Sequence, residues 1–350
     1  MKYLILLLFT GILFYSCSSN KGGDISVVSA FPKTFELTAD TRKIPVAFLL
    51  PRAMLISNDN LFVYKDNEEF LFDIFRLPDC DYLCSAGTRG QGPDDFLFLD
   101  FRSFQPTNNG FKVLDLESNR FKTVVFENNY LSTMSSEQIF QDKGAHNGLY
   151  SLTDNVFLTF GQMMEPNEYT LINTKTETFT KTGNYPQWLP ESSSMSGVEQ
   201  SLFTYVKDCV VHPDGKKFAS FYSRFKRIRI YEYEPNESIT LLHDVDVQVS
   251  PYSDNPEKER YQYYVGQPQA IGDYIYAICS NVNMDNDPQD AQVANDCEIQ
   301  VWDWDGNPVA NFRIGRYISS MVLSEKYNKI YALNKFVEDE LYIYEIPSIK

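Results

Sequence analysis

Short apolar strands alternate with turns rich in Asn, Asp and Gly along nearly the whole chain, and one such strand recurs six times. Its copies are Leu61-Phe-Val-Tyr64, Gly110-Phe-Lys-Val-Leu114, Val156-Phe-Leu-Thr-Phe160, Lys217-Phe-Ala-Ser-Phe221, Tyr274-Ile-Tyr-Ala-Ile278 and Lys329-Ile-Tyr-Ala-Leu333. Successive starts lie 49, 46, 61, 57 and 55 residues apart, a spacing typical of repeat architectures. A tight turn precedes each copy: Ser57-Asn-Asp-Asn60, Thr107-Asn-Asn-Gly110, Thr153-Asp-Asn155, His212-Pro-Asp-Gly215, Gly272-Asp273 and Glu325-Lys-Tyr-Asn328. These residues tolerate a left-handed backbone, so the turns predict two-stranded hairpins. An apolar segment comes before each turn, as in Cys209-Val-Val211 and Met321-Val-Leu323. A third follows each strand, at 70–75, 121–126, 169–173, 227–233, 298–304 and 341–346. Each unit is a meander of three strands with a weaker fourth.

Six four-stranded antiparallel units arranged about a channel make a six-bladed β-propeller, here an all-β domain over 31–350. About 330 residues exceed the usual size of one hydrophobic core, and a repeat array explains the regular spacing better than two domains do. The last unit ends at its third strand near Ile346, four residues from the end of the chain. Its fourth strand has to come from elsewhere. The segment 31–40, with the strand-like Thr34-Phe-Glu-Leu-Thr38, is predicted to pair beside 341–346, closing the ring and removing an exposed sheet edge.

The opening residues follow a different pattern. Met1 and Lys2 form a short positive segment, 3–15 an almost unbroken apolar run, and Ser16-Cys17 a small residue before a cysteine. This is the layout of a cleaved export signal over 1–16. The run is too short to span a bilayer, and Ser18-Ser19-Asn20-Lys21-Gly22-Gly23-Asp24 after it reads as a polar tether within 17–30. Phe14-Tyr15-Ser16-Cys17 resembles the lipobox of bacterial lipoproteins, with Phe14 where Leu is usual. That resemblance implies a diacylated or triacylated Cys17 anchored in a membrane, more than one acyl chain being needed for a stable anchor. An ordinary signal peptide with a free cysteine is the alternative.

Charge narrows the partners. Removing 1–16 takes Lys2 with it and leaves 30 basic against 47 acidic side chains, net −17. Such a surface repels polyanions, so nucleic acid is excluded as a partner. The densest basic stretch, Arg224-Phe-Lys-Arg-Ile-Arg229, is expected on the exposed side of a strand. Aromatic residues make up 15% of the chain, led by Phe and Tyr, in keeping with an all-β fold.

The strand patterns Arg227-Ile-Arg-Ile-Tyr-Glu-Tyr233 and Val301-Trp-Asp-Trp-Asp-Gly306, with the element Arg89-Gly-Gln-Gly-Pro-Asp-Asp-Phe96, resemble the six-bladed TolB-like or NHL-like propeller lipoproteins of Bacteroides and its relatives. The resemblance covers nearly the whole mature chain. It implies a fold and a place in the cell envelope, outer membrane included, and no activity, since propellers host unrelated functions. Lys21-Gly-Gly-Asp24 departs from the Lys-acid-acid tether of surface lipoproteins in that group, which leaves periplasmic and surface orientations both open.

Chemistry-bearing motifs are sparse. His146, His212 and His243 are far apart and none sits in a His-Glu-x-x-His spacing, so a zinc or triad enzyme has little support. No Gly-x-Ser-x-Gly elbow occurs. Asp285, Asp287, Gln289 and Asp296 fall at intervals loosely like a calcium loop, without the sixth-position Gly or the final Glu. A solvated acidic loop is the reading there, calcium the alternative, and no other cofactor is expected. Arg89, Asp94 and Asp95 either present charge at the channel mouth or, the preferred reading, belong to a Gly-Pro turn linking two blades. Besides Cys17 there are Cys80, Cys84, Cys209, Cys279 and Cys297, an odd number that leaves one thiol unpaired. A register pairing Ile275 with Val301 would set Cys279 opposite Cys297, as neighbours or as a disulfide.

Loop lengths indicate which face carries function. With strands a to d counted outward, the a–b and c–d turns share one face, and the b–c turns and d–a crossovers share the other. All the a–b turns are short. Long segments at 89–96, 134–148, 181–205 and 250–267 are expected as crossovers, and 281–296 as a b–c insertion, and long loops on rigid scaffolds are where binding concentrates. They hold Tyr185, Trp188, Tyr252, Tyr261, Tyr263 and Tyr264, rings suited to a sugar or a protein partner, with loss of Trp188 and Tyr263 expected to abolish binding. The expected function is a recognition or scaffold propeller that binds a glycan, a peptide or an envelope protein at the long-loop face. A carboxylate- or metal-assisted hydrolase or lyase at the channel mouth is the alternative.

Overall fold

In a computed structural model, residues 25–66, 69–139, 148–161, 165–234, 236–285 and 297–349 are described. Six antiparallel sheets follow one another along the chain, each a meander whose strands are hydrogen-bonded in sequence order. The six recurring segments are the b strands and the segments after them the c strands. The chain is a six-bladed β-propeller.

The predicted a–b turns adopt the backbone their residues favour. Asn58, Gly215, Gly272 and Asn328 have φ of 52°, 73°, 54° and 53°. At Gly215 a side chain is also excluded by space, because a Cβ there would lie 1.9 Å from the Leu152 carbonyl oxygen. The inner strands lining the channel are Pro51–Ser57, Leu99–Thr107, Tyr150–Ser151, Lys207–Val211, Tyr261–Ile271 and Ser320–Ser324. Blade 3 thus contributes only two residues to the channel wall.

Apolar side chains are buried between blades rather than within them. Phe62, Phe72, Phe96 and Phe111 fill the seam between blades 1 and 2, and Ile299, Phe312, Ile330 and Tyr344 that between blades 5 and 6. Among the described residues, the seam between blades 2 and 3 has Leu114, Leu149, Phe157 and Ile172 as its buried members.

The N-terminal segment does more than close the ring. β1 (Ile25–Val28) adds a parallel fifth strand to blade 4, and β2 (Thr34–Glu36) does the same to blade 5. β3 (Asp40–Lys43) then supplies the missing antiparallel d strand of blade 6, with Asp40 opposite Ile343 and Arg42 opposite Leu341. The closing strand therefore starts at Asp40, and Thr34-Phe-Glu pairs one blade earlier than the sequence indicates. One segment straps three consecutive blades.

Two further expectations are corrected. In blade 5, Tyr276 pairs with Val301 and Cys279 with Glu298, one residue away from the register that would face Cys279 with Cys297. A one-residue shift sends the two side chains to opposite sheet faces. Cys279 packs between blades 4 and 5, Cys297 between blades 5 and 6, and both are free thiols. The basic stretch is also turned inward. Lys226 is buried, donating to Val249 O at 2.9 Å and Asn281 Oδ1 at 2.8 Å, while Arg227 and Arg229 pair with Asp244 and Asp246.

Candidate functional site

Strand order places every d–a crossover and b–c turn at one end of the ring. Exposed large apolar side chains gather there: Leu49, Leu50, Phe98, Val198, Phe203, Val206, Met284 and Phe336 all lie in these connections. Exposed apolar residues scattered singly are ordinary, whereas a concentration on one face marks an interaction surface.

The crossover from blade 3 to blade 4, 185–206, is the most elaborate of the connections. It contains the helix α1 (Val198–Thr204), whose polarity is inverted. Ser201 and Thr204 are buried at 8% and 3% exposure, while Val198 and Phe203 stand 47% and 55% exposed. The inward hydroxyls are satisfied locally, Ser201 Oγ donating to Gly197 O and Thr204 Oγ1 to Met195 O, each at 2.8 Å. The turn preceding the helix thus consumes these hydroxyls, and Val198 and Phe203 are left to solvent together with Glu199 and Gln200. Ser194 anchors the crossover to its neighbour, its backbone N–H lying 2.9 Å from Glu257 Oε1, and these bonds to the crossover hold the Glu257 carboxyl below its ordinary range.

Beneath the helix, Tyr205, Tyr222 and Phe225 form an aromatic cluster joined by Tyr185, Trp188 and Leu189. Trp188 stands edge-on to Tyr222 and Phe225, at 4.7 and 5.1 Å between ring centres, and the guanidinium groups of Arg227 and Arg229 lie 4.8 and 5.3 Å from its ring. Trp188 is pinned as the cover of blade 4. Beside it opens a cleft of about 410 Å³. Pro166, Tyr185, Pro186, Val198 and Tyr205 give the cleft apolar walls, and Glu191 is part of its rim. The Tyr185 hydroxyl is sealed from solvent without a hydrogen-bond partner among the described residues.

A buried charge network supports the cluster. Glu168 accepts from Tyr222 Oη at 2.5 Å and Tyr231 Oη at 3.1 Å, and pairs with Lys207 at 3.0 Å. Lys207 Nζ lies between 5.0 and 5.5 Å from the rings of Phe160, Tyr169, Tyr185 and Tyr222. Burial first, then the Glu168 charge, pushes the Tyr222 hydroxyl far above its ordinary range, so this phenol remains a donor to Glu168.

The other residues singled out in the sequence are spread over the ring. Tyr261, Tyr263 and Tyr264 belong to the inner strand of blade 5 rather than to a loop. Tyr263 and Tyr264, at 1% and 4% exposure, pack in the core between blades 4 and 5, which removes them from any rim. Tyr252 is half-buried and donates to Asp246 Oδ1 at 3.2 Å. Residues 134–138 and 181–184 likewise extend outer strands, so the true crossovers are shorter than their sequence suggested. Arg89 donates to Leu97 O at 2.6 Å and pairs with Asp66. Asp94 accepts from the Thr133 N–H at 2.7 Å, and Asp95 from Thr88 Oγ1 and the Gly92 N–H. These bonds stitch blade 1 to blade 2. Cys17, Asp287, Asp296 and His146 lie outside the described residues, and Asp285 pairs with Arg260 at 3.4 Å. No three His, Cys, Asp or Glu side chains are grouped as metal ligands among the described residues, and no helix there is long and apolar enough to cross a membrane.

Sequence reasoning missed Val198, Phe203 and Tyr205. The signal was a helical stretch, Val198-Glu-Gln-Ser-Leu-Phe203, standing alone in an otherwise β chain.

A family model described as TolB-like 6-blade propeller-like matches residues 30–326. The chain belongs to the TolB-like six-bladed propeller family. Solved structures agree on the fold of this TolB-like propeller at 10% identity in each case. A member of the DUF4221 family from Bacteroides vulgatus superposes with a TM-score of 0.55, covering 88% of this chain and 96% of the other. A protein of Bacteroides fragilis described as exported gives 0.53, covering 92% and 100%. A luciferin-regenerating enzyme gives 0.51, covering 89% and 96%. No curated protein matches the sequence.

Proposed function

We propose that this TolB-like propeller is an exported, lipid-anchored recognition protein that binds a protein segment through the crossover between blades 3 and 4. The observation that carries the reading is the inverted helix, with Ser201 and Thr204 inward, Val198 outward on the wall of the aromatic cleft and Phe203 outward on the same helix. Covering the exposed half of the Val198 and Phe203 side chains is worth about 0.7–1.5 kcal/mol each, so a specific contact draws on the cleft walls as well. Glu191 and Glu199 are exposed next to them, and the chain as a whole is acidic. The partner segment is therefore an apolar or aromatic anchor flanked by Lys or Arg, drawn in by charge and held by burial. A protein fits this surface better than a glycan, because Trp188, the broadest ring, is fully engaged by arginines and neighbouring rings.

Export and anchoring rest on the 1–16 signal and Cys17, and a fold neighbour described as exported is in keeping with export. Palmitate labelling in cells, lost on Cys17→Ser, tests the anchor. Binding is tested by selecting peptides from a random phage library on the mature chain. Enrichment of aromatic or aliphatic anchors with basic flanks is expected, with affinity falling at least about tenfold in Val198→Asp/Phe203→Asp at unchanged melting temperature. Peptides that bind the double variant equally well would refute the site.

A further inference from the structure

A second cavity lies in the channel, at the opposite end of the ring from the crossovers. Three irregularities in the inner strands create it. The inner strand of blade 3 is only two residues long. That of blade 2 breaks register between Asp100 and Gln105, and that of blade 5 between Val265 and Gln269. Bulges of this kind re-aim side chains, and here they direct Arg102 and Gln267 at a common space of about 620 Å³. His212 and Pro213, from the a–b turn of blade 4, border it, so it opens toward the short-turn face.

Arg102 reaches past the stub of blade 3 and pairs through Nε with Asp208 of blade 4. Tyr150 Oη lies 3.5 Å from the same carboxylate and accepts the Cys209 N–H at 3.1 Å. Burial raises the Asp208 carboxyl, an effect that Arg102 partly offsets. The pair is neutral as a unit, so Arg102 brings no unpaired charge to the cavity. The rest of the polar lining consists of three amides with Tyr150, Ser151 and His212. Gln105, Gln267 and Gln269 are among the cavity's lining residues. Amides and a guanidinium–carboxylate pair present adjacent donors and acceptors, a pattern that matches neighbouring hydroxyl groups, while Pro106 and Pro268 supply apolar faces.

We propose that this channel cavity is a second ligand site, for a neutral mono- or disaccharide, independent of the crossover face. The size falls within the range of small-molecule sites. Calorimetric titration of the mature chain with glucose, mannose, galactose, N-acetylglucosamine, maltose and cellobiose tests it, with glucuronate and glucosamine as charged controls. At least one neutral sugar is expected to bind in the millimolar range or tighter and more strongly than either control. Gln105→Ala and Gln269→Ala are expected to weaken it at least about tenfold at unchanged melting temperature, and Val198→Asp to leave it intact. Failure of every neutral sugar at about 10 mM, equal binding of a charged control, or full binding by both Gln variants would overturn the proposal.

Discussion

Glu168 and Lys207 show how much of the crossover site depends on groups that touch no solvent. Both are buried, and Glu168 also receives two tyrosine hydroxyls. Removing Lys207 leaves Glu168 with its two tyrosine donors and the Arg229 guanidinium 3.6 Å away, so Lys207→Met is expected to cost about 1–3 kcal/mol in chemical denaturation. A loss below about 1 kcal/mol would show the pair to be hydrated in solution. The cysteines give a second test at this scale. Burial pushes the thiols of Cys80, Cys209 and Cys297 up to about 12, and the thiolate is the reactive form. Alkylation at neutral pH is expected to reach the half-buried Cys84 first and the other described thiols only on unfolding. Prompt labelling of Cys279 or Cys297 would contradict their placement. The sequence could not separate these two cysteines because the hairpin register is decided by one residue, and no turn signal in 281–296 fixes it. Tyr263 and Tyr264 misled for a related reason. Gly266 and Pro268, which read as loop punctuation, sit instead in a bulge inside an 11-residue strand.

At the level of elements, the b and c strands were legible because apolar triplets follow turns whose chemistry permits only a hairpin. The strap was only partly so. β1, β2 and β3 are three to four residues long and mostly exposed, so burial leaves little periodicity to read, and β3, Asp-Thr-Arg-Lys, carries the charges that protect an outer edge. Deleting residues through Ala39 is expected to lower the melting temperature by only a few degrees and preserve cooperative unfolding. Deletion through Lys43 is expected to expose the edge of blade 6 and cause aggregation. Equal behaviour of the two truncations would argue against closure by β3. The closing strand is also pH-sensitive. Bonds from Lys43 and then Tyr342 hold the Glu340 carboxyl below its ordinary range, and Glu340 and then Asp339 raise Lys43 above its own. A lowered carboxyl stabilises above its unfolded value and loses that contribution as pH falls through the folded one. A raised lysine stabilises below its unfolded value and loses it as pH rises through the folded one. The melting difference between the native chain and Lys43→Ala is therefore expected to be largest around neutrality and to vanish in acid and in strong alkali. A pH-independent difference would assign the effect to packing by the lysine stem.

For the whole molecule, the ring was readable from its period, whereas the functional face followed only in outline from loop lengths. The inverted helix was hidden because its exposed apolar residues resemble core residues until their burial is known. Arg102 of blade 2 and Asp208 of blade 4 pair across the channel past the short inner strand of blade 3, tying together the blades on either side of it. The central claim is that recognition takes place on this crossover. Hydrogen–deuterium exchange of the mature chain, with and without a selected basic-flanked peptide, tests it most directly. Protection is predicted in 185–206 and in the adjoining 248–260, with the a–b turns unchanged. Protection confined to the a–b turns, or to the outer strands, would contradict it.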